Sequence, residues 1–172
     1  MKRVIIDMDH VMAAITQQYI RWYKNHTGID VDEATLIGKA ESEAFPDKEL
    51  IWKFLYSPGF FRTAPVIEGS REVIAELNKK YEVFIVSAAM EFPQSLVEKY
   101  DWLQEHFPFI SWKQVVFCGS KTVIKGDYMI DDHLKNLDYF DGEKLLFTAA
   151  HNALITGYRR VDTWQDVAAI LL

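Results

Sequence analysis

The segment VIIDMDHVMAA, residues 4 to 14, decides how the rest of the chain is interpreted. Its β-branched start predicts a short strand at residues 4–6, and an apolar segment of helical character follows the acids. Asp7 and Asp9 lie two residues apart, so their side chains point the same way in an extended segment. Such a pair repels itself unless a cation lies between the carboxylates or one of them is protonated. Solvated acids at a strand end are the plainer alternative, but open α/β sheets bind ligands beyond the carboxyl ends of their strands, which favours a site here.

The composition is that of a single globular domain of ordinary size. The 172 residues are 49% apolar and 26% charged, and the 14% of aromatic residues is enough to line a pocket as well as a core. The net charge of −6 argues against binding of a nucleic-acid polymer, because such proteins use clustered lysine and arginine. A bound phosphate is therefore expected to be small and to be met locally by a metal ion or a lysine.

The cysteine content and the length of the apolar runs predict the cellular location. Cys118 is the single cysteine, which excludes an internal disulfide and favours a reducing compartment. The apolar run at the start is only three residues long before the acids interrupt it, so we expect neither a signal peptide nor a membrane span. The sequence thus predicts a cytoplasmic protein that does not bind membranes, and it leaves a homodimer open.

Strand-like and helix-like segments alternate along the chain. Helical periodicity covers residues 11–25, 70–80, 94–107 and 163–171, with Ser70 and Thr163 as expected amino-terminal caps. Apolar runs predict strands at residues 4–6, 81–87, 115–117, 128–130 and 144–147. In the helix at 94–107, the side chains of Leu96, Val97, Tyr100 and Leu103 are expected to face inward. This alternation predicts an α/β fold with a doubly wound parallel sheet and helices on both faces.

Residues 29–63 interrupt the alternation and contain no strong strand. We expect a short helix near Asp32, a loop at residues 41–46 and a helix at residues 47–56 that ends before Pro58. The segment is interpreted as a small helical cap inserted into a core formed by residues 1–28 and 64–172. Most of its aromatic side chains are expected to pack the cap on the core, whereas Phe60 and Phe61, at the return, are candidates for the substrate pocket.

Polar residues follow the predicted strands and should meet at one edge of the sheet; they are Asp7, Asp9, Ser87, Lys121, Asp131 and Asp132. Converging carboxylates without a cluster of histidine or thiolate make a site of oxygen ligands, which suits Mg²⁺ better than Zn²⁺. Beside such an ion, Asp7 could attack phosphorus and Asp9 could transfer protons to and from the reacting oxygens. Ser87, neighbouring backbone amides such as that of Ala88, and Lys121 would bind the phosphoryl oxygens.

These elements resemble the four motifs of the haloacid dehalogenase (HAD) superfamily of phosphohydrolases: DMDHV at 7–11, VSA at 86–88, Lys121, and IDD at 130–132. Further stretches at 59–61, 98–103, 120–132 and 146–152 resemble the 5′(3′)-deoxyribonucleotidases of the pyrimidine, cytosolic and mitochondrial type. The resemblance implies a Rossmann-like core with a small cap, Mg²⁺, and dephosphorylation of (deoxy)ribonucleoside 5′-monophosphates. It implies that Asp7 is the nucleophile, that Asp9 is the acid/base and offers its carbonyl to the metal, and that Asp131 or Asp132 completes the metal shell.

The chain departs from this family at several positions. His10 stands where the family has glycine, and Ala14 stands where it has aspartate. We expect His10 to be tolerated in a tight turn at a cost of about 1 kcal/mol, with an imidazole placed near the leaving group as the alternative. Ile15 occupies the position of an aromatic residue on the base-binding side, and so belongs to the predicted substrate pocket. These changes leave the phosphoryl chemistry intact and bear on which base and sugar are preferred.

Other polar residues are given plainer roles. His151 and Asn152 are expected to cap the surface or to form a core hydrogen bond, and Cys118 to be a small buried apolar residue. Lys99 and Lys125 are expected to be solvated surface lysines, with a contribution of positive potential near a phosphate as the alternative. Two alternatives to the nucleotidase stay open: a phosphatase of the same chemistry acting on another small phosphometabolite, and a nucleotide- or phosphate-binding module that no longer turns over. A dehalogenase is disfavoured, because Asp9 has no task in displacing halide from carbon.

Overall fold

A six-stranded parallel sheet runs through the protein, which a computed structural model describes over residues 1–172. Its strands are β1 (Arg3–Ile6), β2 (Glu82–Ser87), β3 (Val115–Phe117), β4 (Tyr128–Asp131), β5 (Glu143–Phe147) and β6 (Arg160–Val161). They lie in the order β3-β2-β1-β4-β5-β6, and every neighbouring pair is parallel. β1 is therefore central, with β2 and β4 beside it. Five of the strands were predicted; the two-residue β6 was missed because so short an edge strand has no periodicity to detect.

The sheet is buried on both faces, as its continuous apolar strands predict. In β1, Val4 and Ile6 face the larger apolar cluster of the core, whereas Ile5 faces a smaller cluster with Leu137 and Phe140. The side chains alternate because successive residues of a strand point to opposite faces. The sheet with helices on both faces confirms the predicted fold class.

The helices are α1 (Ile15–Thr27), α2 (Glu41–Ala44), α3 (Lys48–Leu55), α4 (Ser70–Lys80), α5 (Ser95–His106), α6 (Leu134–Leu137) and α7 (Trp164–Leu171). α1 begins four residues later than predicted because a tight turn precedes it, in which the amides of Met12 and Ala13 both bond the carbonyl of Met8. It ends at Gly28, whose φ of +77° places it in the left-handed region that favours glycine. No helix is both long enough and apolar enough to cross a bilayer.

Three local predictions about helices were wrong. Ser70 is the first residue of α4 rather than its cap; Gly69 precedes it with φ +77°, and the Ser70 hydroxyl donates to the carbonyl of Ile67. The expected loop at residues 41–46 contains the single helical turn α2. In α5 the buried side chains are Ser95, Lys99, Trp102 and Leu103, while Val97 is 70% exposed.

Residues 29–63 contain a 3₁₀ turn at Glu33–Leu36, then α2 and α3, and no strand. The Asp32 side chain caps the 3₁₀ turn and the Asp47 side chain caps α3. Residues 29–63 belong to a longer excursion, residues 15–64, which also contains α1. Its paired stem lies at residues 12–14 and 65–67: Ala14 N donates to Pro65 O at 2.8 Å, and Ile67 N donates to Met12 O at 2.8 Å. Between these two bonds, Ala13 forms an antiparallel bridge with Val66. The excursion therefore leaves from and returns to the carboxyl end of β1.

Candidate active site

The predicted site residues meet at the carboxyl ends of β1, β2 and β4. Asp7 follows β1, Ser87 ends β2 and Asp131 ends β4, and β1 is hydrogen-bonded to both of the other strands. A cavity of about 410 Å³ opens over this edge. The predicted residues that line it are Asp7, Asp9, Ile15, Phe61, Ser87, Ala88, Lys121 and Asp132. Asp131 and Phe60 do not line it.

Lys121 is held between two carboxylates. Its ammonium donates to Oδ1 of Asp7 and, at 2.6 Å, to Oδ2 of Asp131. Burial lowers the pKa of Lys121, but the charges of both aspartates more than offset this, so the pKa is raised and the side chain is a cation. Asp131 also accepts from the backbone amide of His133 and from the side-chain amide of Asn136, both at 2.9 Å. All these bonds orient Asp131 toward Lys121 and away from the cavity.

Asp132 is fully buried but lacks such partners. Neither of its carboxylate oxygens accepts a hydrogen bond, although His151 Nε2 lies 3.2 Å from Oδ2. Burial, followed by the charges of Asp7 and Asp131, raises its pKa well above the ordinary value. The pKa of Asp7 is raised to about 6, mainly by burial and then by Asp131 and Asp9, against the lowering effect of Lys121. One oxygen each of Asp7, Asp131 and Asp132 lie within 4.8 Å of one another.

These carboxylates fit a hard divalent cation. Burial of acids with unsatisfied oxygens is unfavourable unless a cation or a proton compensates it. Oδ1 of Asp9, facing the same cavity, is likewise buried without a hydrogen-bond partner. A donor set made only of carboxylate oxygens suits Mg²⁺. Because Asp131 is already bonded to three groups, Asp132 is the better placed of the pair to touch an ion.

Lys99 is buried in the site, and its predicted place on the solvated surface was wrong. The side chain donates to Oδ2 of Asp9 at 2.5 Å and to the hydroxyl of Ser87 at 3.3 Å. Its ammonium also lies 4.6 Å from the ring centre of Phe61. Only 2% of the residue is exposed, whereas the side chain of Lys125 is 65% exposed and pairs with Asp141. Lys99 thus joins α5 to the acid after β1 and to the end of β2.

The apolar wall of the cavity includes Ile15 and Phe61, as predicted, together with Trp52 and Phe92. The prediction that Phe60 lines the substrate pocket was wrong. This residue is fully buried and packs against Tyr19 and Trp22, because the chain turns so that only one of the two adjacent rings can face the cavity. The turn itself is held by Glu98 of α5. Its carboxylate accepts from the backbone amides of Gly59, Phe61 and Arg62 at 2.5, 3.2 and 3.1 Å.

His10 occupies the predicted tight turn, with a φ of +60°. Its Nε2 lies 2.9 Å from Oε1 of Glu41 in α2, so the side chain connects the excursion to the core. Burial lowers the pKa of His10, but Glu41, Asp9 and Asp7 outweigh this effect and raise it. Asn152 is buried and donates to the carbonyls of Asp132 and Phe147, which is the core hydrogen bonding expected for it. Glu41 was not singled out from the sequence, because nothing local distinguishes it from other surface glutamates.

Comparisons with solved structures define the class of the protein. A haloacid dehalogenase-like family hydrolase from Streptococcus pneumoniae superposes with a TM-score of 0.63 at 12% identity, covering 100% of this chain and 99% of the other. A HAD hydrolase from Bacillus subtilis, described as bound to magnesium, gives a TM-score of 0.61 at 13% identity, covering 99% and 98%. The chain therefore has the Rossmann-like fold of the HAD hydrolases, with the acid and lysine cluster at the carboxyl edge of its sheet.

Closer relatives identify the family within this class. A profile described as 5′ nucleotidase, deoxy (pyrimidine), cytosolic type C protein matches residues 1–172. The 5′(3′)-deoxyribonucleotidases of Bacillus subtilis and of Bacillus phage SPbeta are each 39% identical over 173 residues, covering all of this chain and all of the relative. The chain belongs to this family of 5′-nucleotidases, which are hydrolases of phosphoric monoesters, and the predicted resemblance is confirmed.

Proposed function

We propose that the protein hydrolyses deoxyribonucleoside monophosphates to nucleoside and phosphate, using Mg²⁺ and an aspartyl-phosphate formed on Asp7. The observation that carries this proposal is the placement of Asp7, Asp9, Lys121 and Asp132 around one cavity at the centre of the sheet edge. Family membership supports the reaction class and a small nucleotide substrate. The Mg²⁺ and the covalent step rest on the chemistry of these side chains.

The groups that would hold the metal are the carboxylates of Asp7 and Asp132 and the backbone carbonyl of Asp9. The two oxygens of Asp132 that lack a hydrogen-bond partner and the raised pKa values of Asp7 and Asp132 support this assignment. When bound, the ion would neutralise charge on the phosphoryl oxygens and on Asp7, so that the two anions can approach. Asp131 serves instead to position Lys121, which is charged and would offset the charge of the phosphoryl group.

The reaction divides into two displacements at phosphorus. In the first, a carboxylate oxygen of Asp7 forms a bond to phosphorus, the bond from phosphorus to the nucleoside oxygen breaks, and Asp9 gives that oxygen a proton. In the second, Asp9 takes a proton from water, the water oxygen bonds to phosphorus, and the bond to Asp7 breaks. Ser87 and the backbone amide of Ala88 would bind phosphoryl oxygens, since both line the cavity beside Lys121.

Residues 29–63 are proposed as the cap that selects the substrate. Trp52 and Leu55 of α3 line the cavity opposite the catalytic acids, with Phe61 at the return of the segment and Ile15 at the start of α1. These side chains offer apolar surface to a nucleoside, while the polar edge of the sheet takes the phosphate. The base and sugar preference would then depend on the cap, and the chemistry on the core.

A phosphate-release assay tests the proposal. The purified protein is given a set of deoxyribonucleoside and ribonucleoside monophosphates and a set of sugar phosphates, each with Mg²⁺ or with EDTA. We expect Mg²⁺-dependent release from deoxyribonucleotides. Activity confined to sugar phosphates would favour the second phosphatase hypothesis, and binding of nucleotides without release would favour the inactive binding module.

The covalent step has its own test. Rapid acid quenching with substrate labelled in the phosphate should trap label on the protein, and hydroxylamine should remove it, as expected of an acyl phosphate. Asp7→Asn should abolish both the trapped label and turnover while it leaves the melting transition and nucleotide binding in place. Hydrolysis by Asp7→Asn at the rate of the unchanged protein would refute the role of Asp7.

A further inference from the structure

A second group of metal-ligand side chains lies beside the carboxylate site, between the excursion and the core. It consists of His10 in the turn after β1, Glu41 at the start of α2, and His151 in the 3₁₀ turn after β5. Oε1 of Glu41 lies 2.9 Å from Nε2 of His10 and 3.7 Å from Nδ1 of His151, and the three atoms lie within 4.8 Å of one another. Their side chains are largely buried, with exposed fractions of 10%, 26% and 12% in chain order.

The hydrogen bond of His151 fixes which of its nitrogens is free. Nε2 lies 3.2 Å from the carbonyl oxygen of Asp132, which can only accept, so this nitrogen carries the proton of the neutral ring. The lone pair of Nδ1 is then directed at a carboxylate oxygen of Glu41, which is also an acceptor. Nδ1 is buried and has no hydrogen-bond partner. Two lone pairs at 3.7 Å repel each other unless a metal ion or a proton lies between them.

The neighbours of His10 also fix the position of its imidazole ring. Its φ of +60° is strained for a residue with a side chain, and its backbone amide donates to Ala13 O at 2.8 Å. Nε2 lies 2.9 Å from the Glu41 carboxylate, which can only accept, so an ion bound there replaces the proton of Nε2; Nδ1 lies 3.3 Å from the hydroxyl of Thr16, which can then accept a hydrogen bond from Nδ1–H. An outer partner that sets the tautomer in this way is a regular feature of metal-binding histidines.

The distances between the ligand atoms suit a small tetrahedral ion. Bonds of about 2.0–2.1 Å to nitrogen and oxygen place neighbouring ligands of a tetrahedral ion about 3.3 Å apart. This separation lies between the 2.9 Å and 3.7 Å that separate Oε1 of Glu41 from Nε2 of His10 and Nδ1 of His151. Two imidazoles and one carboxylate, with a fourth position left for water, form a ligand set that Zn²⁺ uses in proteins. His10 lines both the active-site cavity and a neighbouring cavity of about 570 Å³, so an ion could reach the group from solvent.

We propose that His10, Glu41 and His151 form a second metal site, which binds a borderline transition-metal ion such as Zn²⁺ and is distinct from the carboxylate site for Mg²⁺. The bound ion joins Glu41 of the excursion to two loops of the core and holds the two together. Because ligands must lose protons before they bind a metal, the ion replaces protons that otherwise pair the imidazoles with Glu41.

Another group nearby must be distinguished from this one. Asp132, His133 and His151 also place ligand atoms within 4.8 Å of one another, and the rings of His133 and His151 stack at 4.5 Å. His133 is the weaker candidate, because its side chain is 48% exposed and its Nε2 is 3.8 Å from Asp132. The experiment therefore includes a variant of His133.

The test uses Co²⁺ as a spectroscopic probe and Zn²⁺ as its competitor, in excess Mg²⁺ so that the carboxylate site is filled. We expect one Co²⁺ per chain with the intense visible absorption of a four-coordinate ion, displacement by Zn²⁺, and a higher melting temperature with Zn²⁺ than with Mg²⁺ alone. His10→Gly, in which glycine suits the backbone, and Glu41→Gln should each weaken Co²⁺ binding by at least about tenfold, the lower limit seen when even an outer partner of a metal is lost.

His133→Ala and His26→Ala, the latter on the exposed surface of α1, should leave the Co²⁺ affinity unchanged. The proposal is overturned if the protein shows no four-coordinate Co²⁺ spectrum, or if His10→Gly and Glu41→Gln keep full affinity. It is equally overturned if His133→Ala alone removes the spectrum, since the ion would then lie at the neighbouring group.

Discussion

Nζ of Lys99 lies 2.5 Å from Oδ2 of Asp9, in a site where α5 meets the loop after β1. We expect Lys99→Met to lower kcat by at least about tenfold, or about 1.4 kcal/mol of activation free energy, because Asp9 loses the cation that positions it for proton transfer. Methionine keeps most of the apolar stem, so the packing on Phe61 is retained. The measurement is steady-state kinetics beside a thermal melt. Lys125→Met, which changes an exposed lysine, is the matched control, and equal kcat values in the two variants would contradict the role of Lys99.

Asp132 and Asp131 should respond oppositely to the same change. In EDTA, Asp132→Asn should raise the free energy of unfolding by about 1 kcal/mol, because it removes a carboxyl group whose ionisation burial disfavours and whose oxygens have no hydrogen-bond partner. Asp131→Asn should lower it by about 3 kcal/mol, because Lys121 loses a buried partner. Urea unfolding measures both. Asp132→Asn should also abolish activity at every Mg²⁺ concentration. A loss of stability as large as that of Asp131→Asn would contradict this division of roles.

Glu98 should matter for both stability and substrate binding. Its carboxylate accepts three backbone hydrogen bonds from the turn that carries Phe61, so Glu98→Gln should lower the free energy of unfolding by about 1.5 kcal/mol and raise KM. Glu105 provides the control, since it lies on the same helix and pairs with Arg62 at the surface. Glu105→Gln should change neither quantity measurably, because exposed ion pairs contribute little. If Glu98→Gln behaved like Glu105→Gln, the turn would not depend on this carboxylate.

Trp164 connects α7 to the turn after β1. Its Nε1 donates to the buried carbonyl of Val11 at 2.8 Å, and the ring is fully buried. Trp164→Phe should lower the free energy of unfolding by about 2 kcal/mol, because the carbonyl is left buried without a partner. Trp112→Phe, at a site that is 67% exposed, should leave it unchanged. Chemical denaturation followed by circular dichroism compares them, and equal stabilities would show that the hydrogen bond contributes nothing.

The sheet edge that carries the candidate site could be predicted because its evidence is local. Short apolar runs mark the strands. When neighbouring strands are parallel, the polar residues that follow them lie at the same edge of the sheet. Asp7, Ser87 and Lys121 could therefore be placed together before any coordinates. The predicted helix starts were also close to the observed ones where a capping residue was present, as with Asp47 before α3 and Thr163 before α7.

What could not be predicted depends on contacts between distant segments. Lys99 sits among Val97 and Tyr100, whose apolar side chains suggested the wrong inward face for α5; only the approach of Asp9 makes burial of a lysine favourable. Phe60 and Phe61 are adjacent, and which ring faces the cavity is set by Glu98, 37 residues beyond Phe61. Glu41 lies beside two histidines on separate loops, and no spacing in the chain predicts this arrangement.

The stem formed by residues 12–14 and 65–67 makes the protein modular. Since the chain departs and rejoins within one short antiparallel contact, another segment could be grafted there while β1 and α4 keep their positions. α1 lies inside this excursion and would travel with the graft. If the excursion selects the substrate, as proposed, a chimera joined at Ala14 and Pro65 should acquire the donor's selectivity while it keeps the recipient's reaction.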